Sequence, residues 1–211
     1  RVEGSQYIFD KLTRYAQGRS DITISKFTHT RYPQFSVIAR IQGRTNETVI
    51  VGSHLDSTAP LMPSGSAPGA DDDGSGSMTN LEIFRTLVEA GFSPQNTLEF
   101  HFYAAEELGL LGSGDVAADY ASRGVAVRSM MQLDMVAYTG KERTVGIVTD
   151  FVDAETIQFV RQLVDEYLNI SWTNTVCGYG CSDHASWTRN GYRSTFPFEA
   201  QFSNRSPYIH T

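Results

Sequence analysis

Hydrophobic and polar positions along the 211 residues switch between a helical and an extended period. Over Val2–Ala16 the residues Tyr7, Ile8, Leu12 and Tyr15 recur at helical spacing, which predicts an amphipathic helix. FSVIARIQG predicts a strand, and ETVIVGSHLDS opens as a buried strand over Val49–Gly52 before turning polar. A loop rich in Pro, Ser and Gly fills Ser57–Gly69. In GSGSMTNLEIFRTLVEAGF, Leu81, Phe84, Leu87 and Val88 share one face of a helix that Gly91 ends. NTLEFHFYAAEE predicts a strand that runs out to Glu106 and Glu107, and SGDVAADYASRG a short helix. SMMQLDMVAY and TVGIVTD are strand-like. DAETIQFVRQLVDEYL is a helix opened by Asp153 and Thr156 in the manner of a capping box, and YRSTFPFE is a last short strand. No repeat, coiled coil or long linker interrupts the order.

Strands alternating with helices predict an α/β fold: a mostly parallel mixed sheet sandwiched between helices, in one globular domain across residues 1–211. Ligands of such sheets sit where the strands deliver their carboxyl ends. The polar residues that follow apolar strands are therefore the ones to weigh: His54 and Asp56, Glu106 and Glu107, and Asp134.

A formal net charge of −7 argues against a nucleic-acid backbone as partner, since that needs a basic face. No apolar run approaches the roughly 20 residues of a membrane span. The chain has neither an initiating Met nor a leader, as expected of a processed form or a fragment. The two cysteines, Cys177 and Cys181 in CGYGCSDH, read as free thiols, half a zinc knot or a small disulfide loop. Their closeness and the lack of a second pair favour the disulfide, and with it an oxidising compartment. Sequons at Asn46, Asn169 and Asn204 agree with a secreted glycoprotein.

The chemistry-bearing residues lie in GSHLDS, PGADDDGSG, the Glu106–Glu107 pair, QLDM and SPYIHT. Singly, each has an ordinary explanation. His54 is a capped loop histidine, the three aspartates are charge at a helix N-terminus or a calcium loop, and Asp134 is a strand-end residue. Together they bring several carboxylates and two histidines to one sheet edge, and none of the five segments contains Lys or Arg. Buried carboxylates cost several kcal/mol unless paired or metal-bound. Divalent cations compensate such a set, and mixed nitrogen and oxygen donors without thiolate suit zinc. Two histidines and three carboxylates serve two metals if one carboxylate bridges. Adjacent residues on an extended chain point opposite ways, so one glutamate can ligate while the other acts as general base.

With these segments in view, the chain resembles the secreted co-catalytic zinc aminopeptidases, the leucyl aminopeptidase type of bacteria and filamentous fungi. GSHLDST, APGADDDGSG, YAAEELGLLGS, QLDM, CGYGCSDHASW and PFEAQFSNRSPYIHT carry the likeness along nearly its whole length. The resemblance implies two zinc ions, with His54 and Asp134 on one, Glu107 and His210 on the other, and Asp72 bridging. It implies that Asp56 orients His54, that Glu106 moves the proton, and that Tyr179 helps hold the oxyanion from a loop closed by Cys177–Cys181. Met135, Phe198, Phe202 and Ile209 would line an apolar pocket for the first side chain, and the Asp72–Asp73 peptide would be cis. The implied partner is a peptide with a free N-terminus, and the implied protein a monomer outside the cell. Against the family pattern, the chain stops one residue after His210, lacks part of the usual amino-terminal segment, and has Arg205 where another aromatic is common. Competing readings are a single-zinc acyltransferase of the glutaminyl cyclase type, a non-catalytic binding module of the same fold, and a carboxypeptidase using Arg205. His101 and His184 read as structural.

Overall fold

A computed structural model of the chain describes residues 2–59 and 66–210; part of the expected Ser57–Gly69 loop lies outside them. Nine strands and five helices follow in order among the described residues. They are α1 (Val2–Tyr15), β1 (Ile22–Phe27), β2 (Ser36–Ile41), β3 (Thr45–His54), α2 (Gly74–Glu89), β4 (Asn96–Tyr103) and α3 (Leu111–Ser122). Then come β5 (Val127–Gln132), β6 (Thr144–Val148), α4 (Ala154–Tyr167), β7 (Ser171–Thr175), α5 (His184–Arg189), β8 (Ser194–Thr195) and β9 (Pro197–Phe198).

The main sheet has the order β1-β2-β4-β3-β5-β8. Its working half is parallel, since β3 pairs with β4 and with β5, and β5 with β8, in the same direction. The edge formed by β1 and β2 is antiparallel. A second sheet, β7-β6-β9, was not expected from sequence. The stretch YRSTFPFE is the reason: it forms not one strand but β8 in the main sheet and β9 in the small one, with Phe196 between them. Pro197 has no N–H to continue a ladder, so the chain changes sheets there.

Helices cover both faces of the main sheet. On one, Ile8 and Leu12 of α1 and Leu81 and Phe84 of α2 pack on Val37, Ile41, Phe100 and Phe102. On the other, Val116 and Tyr120 of α3 and Trp187 of α5 pack on Ile38, Ile50, Tyr103 and Met130. Tyr7 is exposed; Ser5, three positions before Ile8, completes the buried stripe of α1 instead. The second face also buries a hydrogen-bonded polar chain. Trp187 Nε1 donates to Tyr103 Oη at 2.8 Å, which meets His101 Nδ1 at 3.1 Å. His101 Nε2 meets Glu99 Oε2 at 2.8 Å, and Tyr120 and Arg40 donate to the same carboxylate. His101 is thus structural, as expected. The other histidine with that reading, His184, is buried against Phe196, and burial pushes it down to about 4. No helix among the described residues is long and apolar enough to cross a membrane.

Candidate metal and catalytic site

The parallel strands β4, β3 and β5 lie side by side and end at one edge. His54 is the last residue of β3, Glu106 and Glu107 follow β4, and Asp134 follows β5. Asp72 and Asp73 arrive from the turn that opens α2, with a cis peptide between them. His210 comes from the last described turn. Two donor groups result: His54, Glu106 and Asp134, and Asp72, Glu107 and His210, each with atoms within 4.8 Å of one another.

Asp72 stands between the histidines. Its Oδ1 is 3.1 Å from His54 Nε2, and its Oδ2 is 3.2 Å from His210 Nε2. His54 Nε2 is 3.6 Å from Asp134 Oδ1, and His210 Nε2 is 3.3 Å from Glu107 Oε2. His54 Nε2, Asp134 Oδ1 and Glu107 Oε1 are buried with no hydrogen-bond partner. Such atoms, facing one another among carboxylates, fit a cation that would accept their lone pairs.

The charges agree with that fit. Burial first, then Asp183, Asp134 and Glu107, push the Glu106 carboxyl well above the usual carboxylate range, with His54 pulling against them. Burial and then Asp72 push Glu107 up to about 8. Asp134 rises through burial and Asp72, despite the opposing pull of His54. Burial disfavours a charge on His54, but Glu106 and Asp134 outweigh it and raise the imidazole well above its ordinary range. Among the described residues these carboxylates pair only with histidine, never with Lys or Arg.

The surroundings fix the donors. Asp73, the N-cap of α2, accepts from Gly76 N at 2.9 Å, from His54 N at 2.9 Å and from Met135 N at 3.3 Å. One carboxylate therefore ties together three of the segments that build the site. Gly76 has no space for a side chain, because a Cβ would lie 2.3 Å from Leu133 O and closer still to Asp73. Ser182 Oγ donates to Asp134 Oδ2, leaving Oδ1 for the cluster. Asp56 reaches His54 through its main chain rather than its carboxylate. His54 Nδ1 meets the Asp56 main-chain oxygen at 3.0 Å, while the carboxylate stays 3.8 Å away. That carboxylate is occupied elsewhere: it accepts from Glu106 N at 2.9 Å and Glu107 N at 3.2 Å. A proton on Nδ1 leaves Nε2 of the neutral ring as lone-pair donor.

Glu106 and Glu107 do not continue the strand. After β4 the chain turns through Ala105, at φ 54°, into a 3-10 turn over Glu106–Leu108. Their different surroundings come from this turn rather than from alternation along an extended chain. Glu106 is 9% exposed and faces the His54 group, whereas Glu107 faces the His210 group.

Beside the donors lies a cavity of about 270 Å³. Met135, Phe198, Phe202 and Ile209 are among its lining residues, together with the Cys181 loop and with Phe196 and Leu110, which the sequence did not single out. Tyr179 stands at its mouth, 57% exposed. Its loop is closed by the Cys177–Cys181 disulfide and held by Asp150, which accepts from Cys177 N at 3.1 Å and Gly178 N at 2.7 Å. Arg205 lies outside the lining, with its guanidinium 4.5 Å from the centre of the Phe202 ring and Nη1 donating to the Phe202 carbonyl.

Comparison with known proteins places this arrangement. Leucine aminopeptidase 1 of Trichoderma harzianum is 43% identical over 99% of this chain and 56% of its own length. Leucine aminopeptidase 1 of Ajellomyces capsulatus (strain H88) is 47% identical over 97% of this chain and 56% of its own length. The crystal structure of LapB from Legionella pneumophila matches with a TM-score of 0.92 at 34% identity, covering 100% of this chain and 58% of that one. The chain therefore spans a little over half the length of these relatives. The model of Peptidase family M28 matches residues 36–211, from the first residue of β2 through the whole donor set, and the chain belongs to that family.

Proposed function

We propose that this chain carries the catalytic site of a two-zinc aminopeptidase that releases apolar residues, leucine among them, from the free N-terminus of peptides. The observation that carries the reading is Asp72, with one oxygen toward each of two histidines, beside a buried glutamate and an apolar cavity. His54 and Asp134 would hold one ion, Glu107 and His210 the other, with Asp72 shared. Bound there, zinc supplies Lewis acidity and lowers the pKa of water toward neutrality. Glu106 takes a proton from the attacking water and delivers it to the leaving amine. Its carboxyl is buried beside the His54 group, where the proton is taken up and given back. The Tyr179 hydroxyl donates to the carbonyl oxygen as negative charge develops on it. Asp56 orients both halves of the site, His54 through its carbonyl and the glutamates through its carboxylate.

The cavity accounts for the preference. Leucine buries three more carbons than alanine, worth ~2.4 kcal/mol at ~0.8 per carbon, or about 50-fold in kcat/KM. The bridging donor pattern favours this reading over a single-zinc acyltransferase, and the complete donor set favours it over a binding module. The protein is proposed to act outside the cell as a monomer, with no nucleic-acid or membrane partner. The disulfide supports an oxidising compartment, and Asn46 and Asn169 are exposed where glycans could attach. Metal analysis together with hydrolysis of Leu- and Ala-arylamides and their N-acylated forms tests the proposal. Two zinc per chain, a Leu preference near 50-fold and no turnover of acylated substrates are expected. Turnover of acylated substrates, or full activity with one zinc, would overturn it.

A further inference from the structure

The turn that presents Glu106 and Glu107 is held by Asp56 and by a circuit of residues outside the donor groups. Each of its four leading N–H groups donates to a side chain. Glu106 N and Glu107 N go to Asp56, Ala105 N to Gln34 Oε1 at 3.3 Å, and Ala104 N to Ser36 Oγ at 3.0 Å. Gln34 and Ser36 are both buried and come from the junction of the β1–β2 loop with β2. Ser36 Oγ lies 2.9 Å from His29 Nε2, and His29 Nδ1 lies 2.8 Å from Asp115 Oδ2 in the first turns of α3. Gly112, three residues before Asp115 in α3, packs against Ala104 so closely that a Cβ would lie 2.0 Å from its carbonyl oxygen. Residues 104, 36, 29, 115 and 112 thus close a ring around the turn.

The protons in this ring have one consistent arrangement. A carboxylate only accepts, so His29 Nδ1 carries a proton and donates to Asp115. In the neutral ring Nε2 is then an acceptor, and it takes the Ser36 hydroxyl proton. Ser36 Oγ, oriented in this way, offers its lone pair to Ala104 N. Burial, opposed by Asp115 and aided by Arg31, holds His29 below its ordinary range and so in the neutral form at neutral pH. Tyr32 and Arg31 also reach Asp115, which leaves the carboxylate little freedom to turn away.

We infer that His29 is a positioning residue for the proposed hydrolysis: anchored by Asp115 and acting through Ser36, it sets where the Glu106–Glu107 turn stands over the donor site. The inference rests on the aminopeptidase reading for its kinetic consequence, but the ring can be tested without it. His29→Asn keeps a donor for Asp115 and loses the acceptor for Ser36. His29→Gln places an amide oxygen near the Nε2 position and restores that acceptor. Ser36→Ala removes the link itself. In zinc-loaded enzyme, His29→Asn and Ser36→Ala should lower kcat by about 10- to 100-fold, the scale of a misplacement near 1 Å, with KM and metal content little changed. His29→Gln should recover most of that loss. Amide hydrogen exchange supplies the readout independent of activity. Protection of residues 104–107 should fall at least ~10-fold in His29→Asn while β3 stays protected, and should return in His29→Gln.

If His29→Asn and Ser36→Ala keep kcat within about twofold, or if residues 104–107 exchange as in the native protein, the inference is wrong. If Ser36→Ala does not fold, the His29 pair decides. If native, metal-loaded protein hydrolyses no peptide, the functional proposal fails while the exchange data still decide the ring.

Discussion

Glu106 and Glu107 are adjacent, yet replacing them should break different things. Glu107 is one of three donors in its group, beside Asp72 and His210. Removing even a residue that merely supports a metal ligand costs roughly 10–100-fold in affinity, so losing a donor should exceed about 100-fold. Glu107→Ala is therefore expected to bind one zinc weakly and to regain part of its activity in excess zinc. Glu106→Gln keeps size and shape, and its main-chain N–H still donates to Asp56, so the side chain remains in place. It loses the ability to take a proton. General acid–base help is worth about 10²–10⁴-fold, or ~3–5 kcal/mol of transition-state stabilisation, and here one group serves both transfers. The expected variant keeps two zinc ions and a near-normal KM, with kcat reduced by that factor. Metal content by mass spectrometry and steady-state kinetics on Leu-arylamide check both variants. A Glu106→Gln protein that lost a zinc would make Glu106 a ligand of the His54 and Asp134 group, and one that kept normal kcat would remove it from the chemistry.

Three further outcomes are expected. Ser182→Ala frees Asp134 Oδ2 and should weaken zinc by about 10–100-fold, with recovery in excess metal; unchanged zinc titration would show that the hydroxyl does no orienting. Glu99 is buried, which opposes its ionisation, but His101, Tyr120 and Arg40 outweigh this and bring it down to about 2. Its folded pKa lies below the unfolded one, so it contributes stability above about pH 4.5 that is lost as pH falls toward 2. The full loss approaches ~3 kcal/mol, of which about 2 kcal/mol falls between pH 7 and pH 3, so urea unfolding at those two pH values should show a pH dependence smaller by about 2 kcal/mol in Glu99→Gln. Thiol titration of denatured, unreduced protein should find no free thiol, whereas two thiols would dissolve the bridge beneath Tyr179 and the argument for an oxidising compartment.

Much of this architecture was legible because apolar periodicity is strong where an element is buried. Ile50 and Val51 in β3, Phe100 and Phe102 in β4, and Ile157, Val160 and Val164 in α4 announce themselves. The edge strands β1 and β7 do not. Their residues are half-buried to exposed: in ITISKF the alternation of Ile22 and Ile24 is cut short by Lys26, and SWTNT has Trp172 as its one apolar residue. The candidate donors could be picked out because His, Asp and Glu are conspicuous after apolar strands. The residues that aim them were harder to find. Asp73 accepts from main-chain N–H groups, and a main-chain donor leaves no mark on residue identity. Ser36 and Gln34 act about 70 positions away in the chain, on a turn whose departure from the strand depends on Ala105 taking a positive φ. Alanine gives no warning of that conformation.

The donor groups gather residues from position 54 to position 210. Neither group can be completed locally, because each draws on segments separated by whole strands and helices. A growing chain that has made β3, β4 and β5 already has most of a sheet, but until His210 emerges one of the two groups is short of its only histidine. At about 5–20 residues per second, synthesis from the first donor to the last takes roughly 10–30 s, and the proposed peptidase activity is withheld for all of that time. The same spacing makes the activity sensitive to cleavage. Any cut between the first and last donors that lets the pieces separate parts the histidines, so the proposed chemistry needs the stretch from His54 to His210 held together.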